Sequence, residues 1–397
     1  MTQSPDAKTD GPAEGRDDAL RLMVVGLGMM GRAAAAVAVA ELPLAHLHLV
    51  DVDQGRARAV ADELARHGVP VTAGTSWQDG LGSCDVALLA LHWPQTEQFL
   101  AETRHSGLGV VSITRPPVSP EPYVPEVVRE RTGPAVLPVG LEPGLTEILL
   151  GHAVRGLDRV HAVETLCGGL TTQPPDGFPY RLLFGGTTLP FTQRPAFALD
   201  SGRRRTLERF SAVRPASLPG LPSLESYHDG MVPWLCELPG LDGADVEQRS
   251  VRWPGFVSAV ALLRAGGLLD EDDIEVAGTK LTPRRVTDEI VGRKLQRGSH
   301  EREVTHLQLT AHGVAGGREV TRRINIWCRD DETPLDSGMA CMTAVPAVVA
   351  AGLVAGHPGG WRRPEEIFDT STMEVLFTAL ERHGAHIRDR FIEGEPT

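Results

Sequence analysis

Three glycines, Gly26, Gly28 and Gly31, follow directly on the apolar run Leu22 to Val25, and the alanine-rich stretch Ala33 to Ala40 comes next. That order reads as strand, tight turn and helix, the context in which a G-x-G-x-x-G spacing holds a dinucleotide pyrophosphate. Gly26 permits the turn, Gly28 lets backbone approach the phosphates, and Gly31 lets the helix close on the strand. Met29 and Met30 lie in the same loop, at the helix N-terminus whose free N–H groups face the anion. The next apolar run, "HLHLVD", ends at Asp51, about 20 residues beyond the glycines, where the ribose-binding acid belongs. A carboxylate there accepts the ribose hydroxyls and repels a 2′-phosphate, so NAD is expected over NADP. Arg56 and Arg58, shortly after, are a counter-signal.

These residues need a scaffold. Further apolar runs at Val69 to Thr72, Asp85 to Leu91, Gly109 to Thr114 and Ala135 to Leu141 are nearly continuous, as in a parallel sheet buried on both faces. Ligands of such sheets bind beyond the carboxyl ends of the strands. Three junctions should therefore face the cofactor's reactive end: His92-Trp93-Pro94, with Leu91 just before it, Thr114-Arg115-Pro116 and Glu142-Pro143-Gly144. The segment "VETLCGG" alternates like a strand and is expected to end on Cys167-Gly168-Gly169, where backbone passes close to a neighbour. Read alone, Cys167 is a small core residue. Farther on, "VTHLQLTAHGV" and "REVTRRINIWC" read as a hairpin about Ala315 to Gly317, and "RPASLPGLPSL" as a surface loop. Strands and helices in this half do not alternate simply. The expected architecture is α/β: a Rossmann domain plus a second α+β domain with a mixed sheet.

Composition narrows the function. The chain has 397 residues and a formal net charge of -13, with no basic run except Arg203-Arg204-Arg205. That argues against nucleic acid and anionic membrane as partners. No apolar run reaches the length of a membrane span. The first residues carry no cationic start followed by an apolar stretch, so a polar disordered tail is expected over residues 1–20 and a cytoplasmic location for the protein. Five scattered cysteines without metal-ligand spacing indicate neither a disulfide framework nor a metal site. The only lysines are Lys8, Lys280 and Lys294, which disfavours a lysine base or Schiff base.

Four motifs together resemble the saccharopine dehydrogenase-like family. They are Gly26-Leu27-Gly28-Met29-Met30-Gly31, "GLEPGLTEIL" (140–149), "CGGL" (167–170) and "VRWPGFVSAVALLRAGGLLD" (251–270), supported by "SGMACMTAVPAVVAAGLVAG" and "PEEIF". The resemblance implies a C-terminal segment that returns to the nucleotide domain. The domains expected are thus an NAD-binding unit over 21–156 and 339–397, and a substrate-binding and dimerisation unit over 157–338. It further implies that Cys167 and Gly168 face an interdomain cleft and that Arg252 meets the substrate. Saccharopine reductases carry Asn-Arg-Asp-Ser where this chain has "SYHDG". His228 and Asp229 in that place resemble the pattern of lysine 6-dehydrogenases, and an aspartate suits an ammonium.

The expected activity is therefore NAD-dependent oxidation of an amino acid at a primary amine, with L-lysine at its ε-amine as substrate, in a homodimer or higher homo-oligomer. Glu142 or Asp229 would act as base, and His228 and Asp229 would line the substrate. Arg115 and Arg252 would clamp its carboxylate, and His92, Thr114, Pro143 and Gly144 would touch the cofactor. The rivals are the reverse chemistry, reductive coupling of an amine to an aldehyde, and a non-catalytic NAD(H)-binding protein.

Overall fold

The computed structural model describes residues 19–117, 123–230 and 232–393. The tail expected over residues 1–20 lies, but for its last two residues, outside them. The first half runs β1 (Leu20–Val25), α1 (Met29–Glu41), β2 (Leu44–Val50), α2 (Gln54–Leu64), β3 (Val71–Gly74), β4 (Val86–Leu89), α3 (Trp93–Glu102), β5 (Gly109–Ser112), α4 (Glu126–Arg129), β6 (Pro134–Val136) and α5 (Leu145–Arg155). The second half adds β7 (Arg159–Thr171), β8 (Pro195–Asp200), β9 (Arg203–Glu208), β10 (Arg214–Leu218), β11 (Leu221–His228), β12 (Asp245–Arg252), α6 (Phe256–Ala265), the small hairpin β13 (Ile274–Val276) and β14 (Thr279–Leu281), α7 (Pro283–Lys294), β15 (Glu303–Ala315) and β16 (Arg318–Arg329). The chain ends with α8 (Gly338–Val354), β17 (Gly360–Arg362), α9 (Pro364–Ile367), α10 (Thr370–Arg382) and β18 (Ala385–Glu393).

Two large sheets result. The first has seven parallel strands in the order β17-β6-β5-β4-β1-β2-β3. Strands β4 and β5 are fully buried and β1 is buried from Leu22 on, which is why their sequences are apolar there without alternation. The strand order reverses between β1 and β4, so a crevice opens beyond their carboxyl ends, beside the glycine turn. The second sheet is mixed, with nine strands in the path β10-β11-β12-β7-β15-β16-β18 and β8 and β9 attached at β12. Helix α8 joins the two. It is apolar on every side, packs against β4 and β5 of one sheet and β15 and β16 of the other, and places both in one continuous core. The architecture is α/β with a Rossmann sheet and a second mixed sheet.

Three expectations change. The stretch read as a surface loop from Arg214 to Leu224 is the hairpin of β10 and β11. Leu218, Leu221 and Leu224 bury against Leu166, Leu170, Val251 and Trp253. Pro215 is tolerated because β10 is an edge strand, and Gly220 supplies the left-handed turn residue. Strand β7 does not end at Cys167-Gly168-Gly169 but continues to Thr171, paired with β15 throughout. The C-terminal segment also divides: β17 extends the first sheet, whereas β18 pairs with β16 in the second. Alternation in β18 puts Ile387 in register with Ile326, so the last strand shares the second sheet's face rather than the nucleotide unit.

Candidate active site

The glycine loop has the shape its spacing calls for. Gly26 has φ +87°, and a Cβ on it would sit 2.5 Å from the Ala90 carbonyl oxygen. A Cβ on Gly31 would sit 1.7 Å from the Gly26 oxygen, so helix and turn touch there. Gly28 is different: it is exposed and faces open space, with nothing within 4 Å of a Cβ position. The two packed glycines shape the loop, and the third leaves bare backbone toward the crevice. Asp51 is tied into this loop, its Oδ2 accepting the Leu27 N–H at 2.7 Å. Leu91 borders the turn, and the Thr114 hydroxyl donates to the Leu91 carbonyl. Met29 and Met30 start α1, and His92 is the exposed N-cap of α3. The cradle fits a dinucleotide, with Gly28, the N-terminus of α1 and Asp51 as the groups that would hold it.

Beyond β6 the chain reaches Glu142, Pro143 and Gly144. Gly144 has φ +136°, and a Cβ there would meet the Gly140 nitrogen at 2.3 Å, so the turn into α5 requires glycine. The N-terminus of α5 is capped by Glu147. Its Oε2 accepts the Gly144 N–H at 2.6 Å and the Thr146 hydroxyl at 2.7 Å, and its Oε1 accepts the Gln248 amide at 2.6 Å. Glu142 is thereby left to the cleft. Its Oε2 takes a long contact from the Ser250 hydroxyl, 3.4 Å, the Cys167 thiol lies against the carboxyl group, and Oε1 has no hydrogen-bond partner among the described residues. Burial, then Asp229 and Glu147, push its pKa up to about 8, against the pull of Arg252 and Arg194.

The second sheet supplies the opposite wall by register. Tyr227 pairs with Ser250, Ser250 with Cys167, and Cys167 with Leu307, so these side chains share one face. His228 pairs with Arg249, and Arg249 with Leu166, on the other face. The pairing of His228 with Asp229 at one substrate site is therefore corrected. His228 turns away and meets Glu247 at 3.3 Å and Ser211 at 3.2 Å.

Asp229 lies on the cleft side but is not a free carboxylate. It accepts from Arg194, from Arg209 Nε at 2.5 Å and Nη2 at 3.2 Å, and from the Ser250 hydroxyl at 2.7 Å. Burial alone would raise its pKa, but Arg209 and Arg194 outweigh that and hold it at about 2. The base role considered for Asp229 is corrected on this ground: a carboxylate held between two guanidiniums does not take up a proton near neutral pH. An ammonium at Asp229 would have to share its oxygens with Arg194, Arg209 and Ser250.

Arg252 stands over the rings of Tyr180 and Phe256, 5.4 and 5.7 Å from their centroids, and its Nη1 donates to the Val251 carbonyl at 2.6 Å. The glycine pair in β7 now has a reason. A Cβ on Gly168 would lie 2.6 Å from the Val251 carbonyl oxygen and 2.9 Å from Arg252 Nη1, and one on Gly169 would lie 2.5 Å from Met339 Cε. Gly168 makes room for the β12 backbone and the guanidinium beside it, Gly169 for α8. Arg252 Nε and Arg115 Nη1 are buried without a partner among the described residues. Burial, then Arg194 and Arg209, push the Arg115 pKa down. Arg194, Arg209, Tyr180, Tyr227, Ser250 and Glu147 were not singled out from sequence. Ser250 had a signal, since it lies two residues before Arg252 on one strand face, and Glu147 had the capping spacing after Gly144. Arg194 and Arg209 had none.

The Cys167 thiol contacts Glu142, and burial, followed by the Glu142 charge, pushes its pKa well up. It is a neutral donor, not a thiolate. Cys167→Ser should therefore retain turnover within about tenfold, since a hydroxyl can replace the thiol as a donor to Glu142. A loss of several orders of magnitude in a folded variant that still binds dinucleotide would give the thiol a chemical role.

The described residues thus form a Rossmann sheet and a mixed sheet, with a buried acid and two guanidiniums at the cleft. Residues 140–385 match the saccharopine dehydrogenase C-terminal domain family, well over half of the chain, and the protein belongs to that family. Its fold matches that of a saccharopine dehydrogenase (L-Glu forming) from Saccharomyces cerevisiae, with TM-score 0.70 and 15% identity over 94% of this chain and 100% of that one. GenD2 from gentamicin A biosynthesis, solved with NAD, overlaps much more loosely, with TM-score 0.39 and 14% identity over 98% of this chain and 100% of that one. The same holds for a myo-inositol dehydrogenase from Corynebacterium glutamicum, with TM-score 0.38 and 11% identity over 96% of this chain and 100% of that one. No helix among the described residues is long and apolar enough to cross a membrane.

Proposed function

We propose that this protein is a nicotinamide-dinucleotide-dependent dehydrogenase that oxidises the carbon–nitrogen bond of an amino acid. One observation carries the reading. Near the glycine-loop crevice, Glu142 Oε1, Arg115 Nη1 and Arg252 Nε are all buried without partners among the described residues. Buried polar atoms of native proteins are normally satisfied, so an acid and two guanidiniums, each keeping one buried atom open, suit an amine that carries a carboxylate.

The chemistry follows from these groups. Bound oxidised nicotinamide supplies the hydride acceptor. Glu142 accepts one proton from the substrate ammonium, leaving a nitrogen lone pair that drives the hydride from the adjacent carbon and becomes the C=N bond. Water then adds to that carbon, and the amine leaves. Arg252, braced by Tyr180 and Phe256, and Arg115 hold the carboxylate so that one carbon meets the cofactor.

The finer assignment from the sequence pattern is L-lysine, oxidised at its ε-amine with NAD. A second reading has its own observation: Asp229 is neutralised by Arg194 and Arg209, so the wall is not anionic and does not repel an additional carboxylate. That favours a secondary amine bearing two amino-acid ends, of the saccharopine type. Formation of reduced nicotinamide should be followed with lysine, ornithine and saccharopine side by side. Lysine fastest supports the first reading and saccharopine fastest the second. No turnover with any amine, in either direction, would sink the dehydrogenase proposal.

A further inference from the structure

Asp51 does not present a bare carboxylate to the crevice. Its side chain is 5% exposed; Oδ2 accepts the Leu27 N–H at 2.7 Å and Oδ1 the Asp53 N–H at 2.9 Å. Arg56, in the first turn of α2, reaches back across it, with Nη1 3.3 Å from Oδ1 and 3.2 Å from Oδ2. The Arg56 side chain is 48% exposed, and it also lies 3.6 Å from Asp53, a carboxylate that is itself more than half exposed. The acid expected to exclude a 2′-phosphate is thus built into the glycine loop and charge-paired. The guanidinium over it is the cation at the open edge of this corner.

We infer that Arg56 is a specificity-determining residue and that the ribose corner accepts both NAD and NADP. The inference rests on the dinucleotide reading above. With NAD, Asp51 meets the ribose hydroxyls and Arg56 stays paired with it. With NADP, Arg56 moves from a long, half-exposed ion pair, which holds it weakly, to the 2′-phosphate, an anion whose oxygens the planar guanidinium fork binds more strongly. Asp51 then keeps its two backbone bonds, so its charge remains compensated by N–H donors. Asp53 opposes the phosphate, which limits the preference for NADP but leaves Arg56 able to bridge the two.

Binding of NADH and NADPH to the full chain, followed by nicotinamide fluorescence, tests this without turnover. The wild-type protein should bind both, with Kd values within about tenfold of one another, because one guanidinium–phosphate contact offsets the buried acid. Arg56→Ala should weaken NADPH roughly tenfold and leave NADH within about twofold, the loss of one charged hydrogen-bonding group. Arg56→Lys should restore part of the NADPH affinity through its charge. NADH binding with NADPH excluded by more than about a hundredfold would overturn the inference alone, as would an Arg56→Ala variant weakened equally for both. If neither dinucleotide binds, the inference and the dinucleotide reading fail together.

Discussion

Glu142→Gln should lower turnover by about 10²- to 10³-fold, the range for loss of a positioned general base. Folding and dinucleotide binding should be unchanged, because Glu147, not Glu142, caps α5. The pH dependence is the sharper readout. Burial and two nearby carboxylates set the Glu142 pKa at about 8, so near neutrality the group is mostly protonated. Oxidation, which needs the carboxylate, should rise with pH through 8 and level off above it. The reverse reaction, which needs the acid, should fall over the same interval. In Glu142→Gln this limb should vanish from kcat/KM in both directions. A variant of normal rate, or a limb that survives the substitution, would remove Glu142 from proton transfer.

The second large effect concerns stability. Arg209 donates to both Asp229 oxygens and to the carbonyls of Pro190 and Thr192, so it ties β9 to the loop before β8 and to the cleft. Arg209→Leu should destabilise the fold by about 1.5–3 kcal/mol at neutral pH, the loss of charged hydrogen bonds to a buried carboxylate that Arg194 still holds, measured by urea unfolding. Asp229 has a depressed folded pKa of about 2, so its contribution is fully present above its unfolded value, about 3.9, and is lost as pH falls through the folded one. The deficit of Arg209→Leu should therefore narrow between about pH 4 and pH 2, where Asp229 protonates in wild type too. Dinucleotide affinity should stay unchanged, since the glycine loop is not involved. A deficit under about 1 kcal/mol would mean that the cluster is solvated rather than buried.

Much of the first sheet could be read from the chain because its signals are local. Apolar runs without alternation gave parallel strands, and Gly26-x-Gly28-x-x-Gly31 gave the turn. The hairpin of β15 and β16 was equally visible in its two-residue period and its glycine turn. By contrast, "RPASLPGLPSL" lost its strand character behind prolines, which an edge strand tolerates and a central one does not. The fate of β18 was also hidden. Its sequence carries no mark of which sheet it joins; only its pairing with β16 decides that.

The site divides the same way. Glu142, Arg252 and the glycine pair in β7 could be named from motifs, and parity along one strand would have found Ser250. His228 ends β11 and turns to Glu247 and Ser211, whereas Asp229, just past the strand, meets Arg194, Arg209 and Ser250, so naming them together joined two different sites. Nor did sequence reveal that Asp229 is neutralised, because Arg194 and Arg209 arrive from loop and strand ends 35 and 20 residues away. Sequence by itself determined the elements and the identities of the acids, since these depend on periodicity and on residue type. Tertiary structure alone decided which acid is free to take a proton, because a pKa is set by the charges and burial that distant segments bring to it.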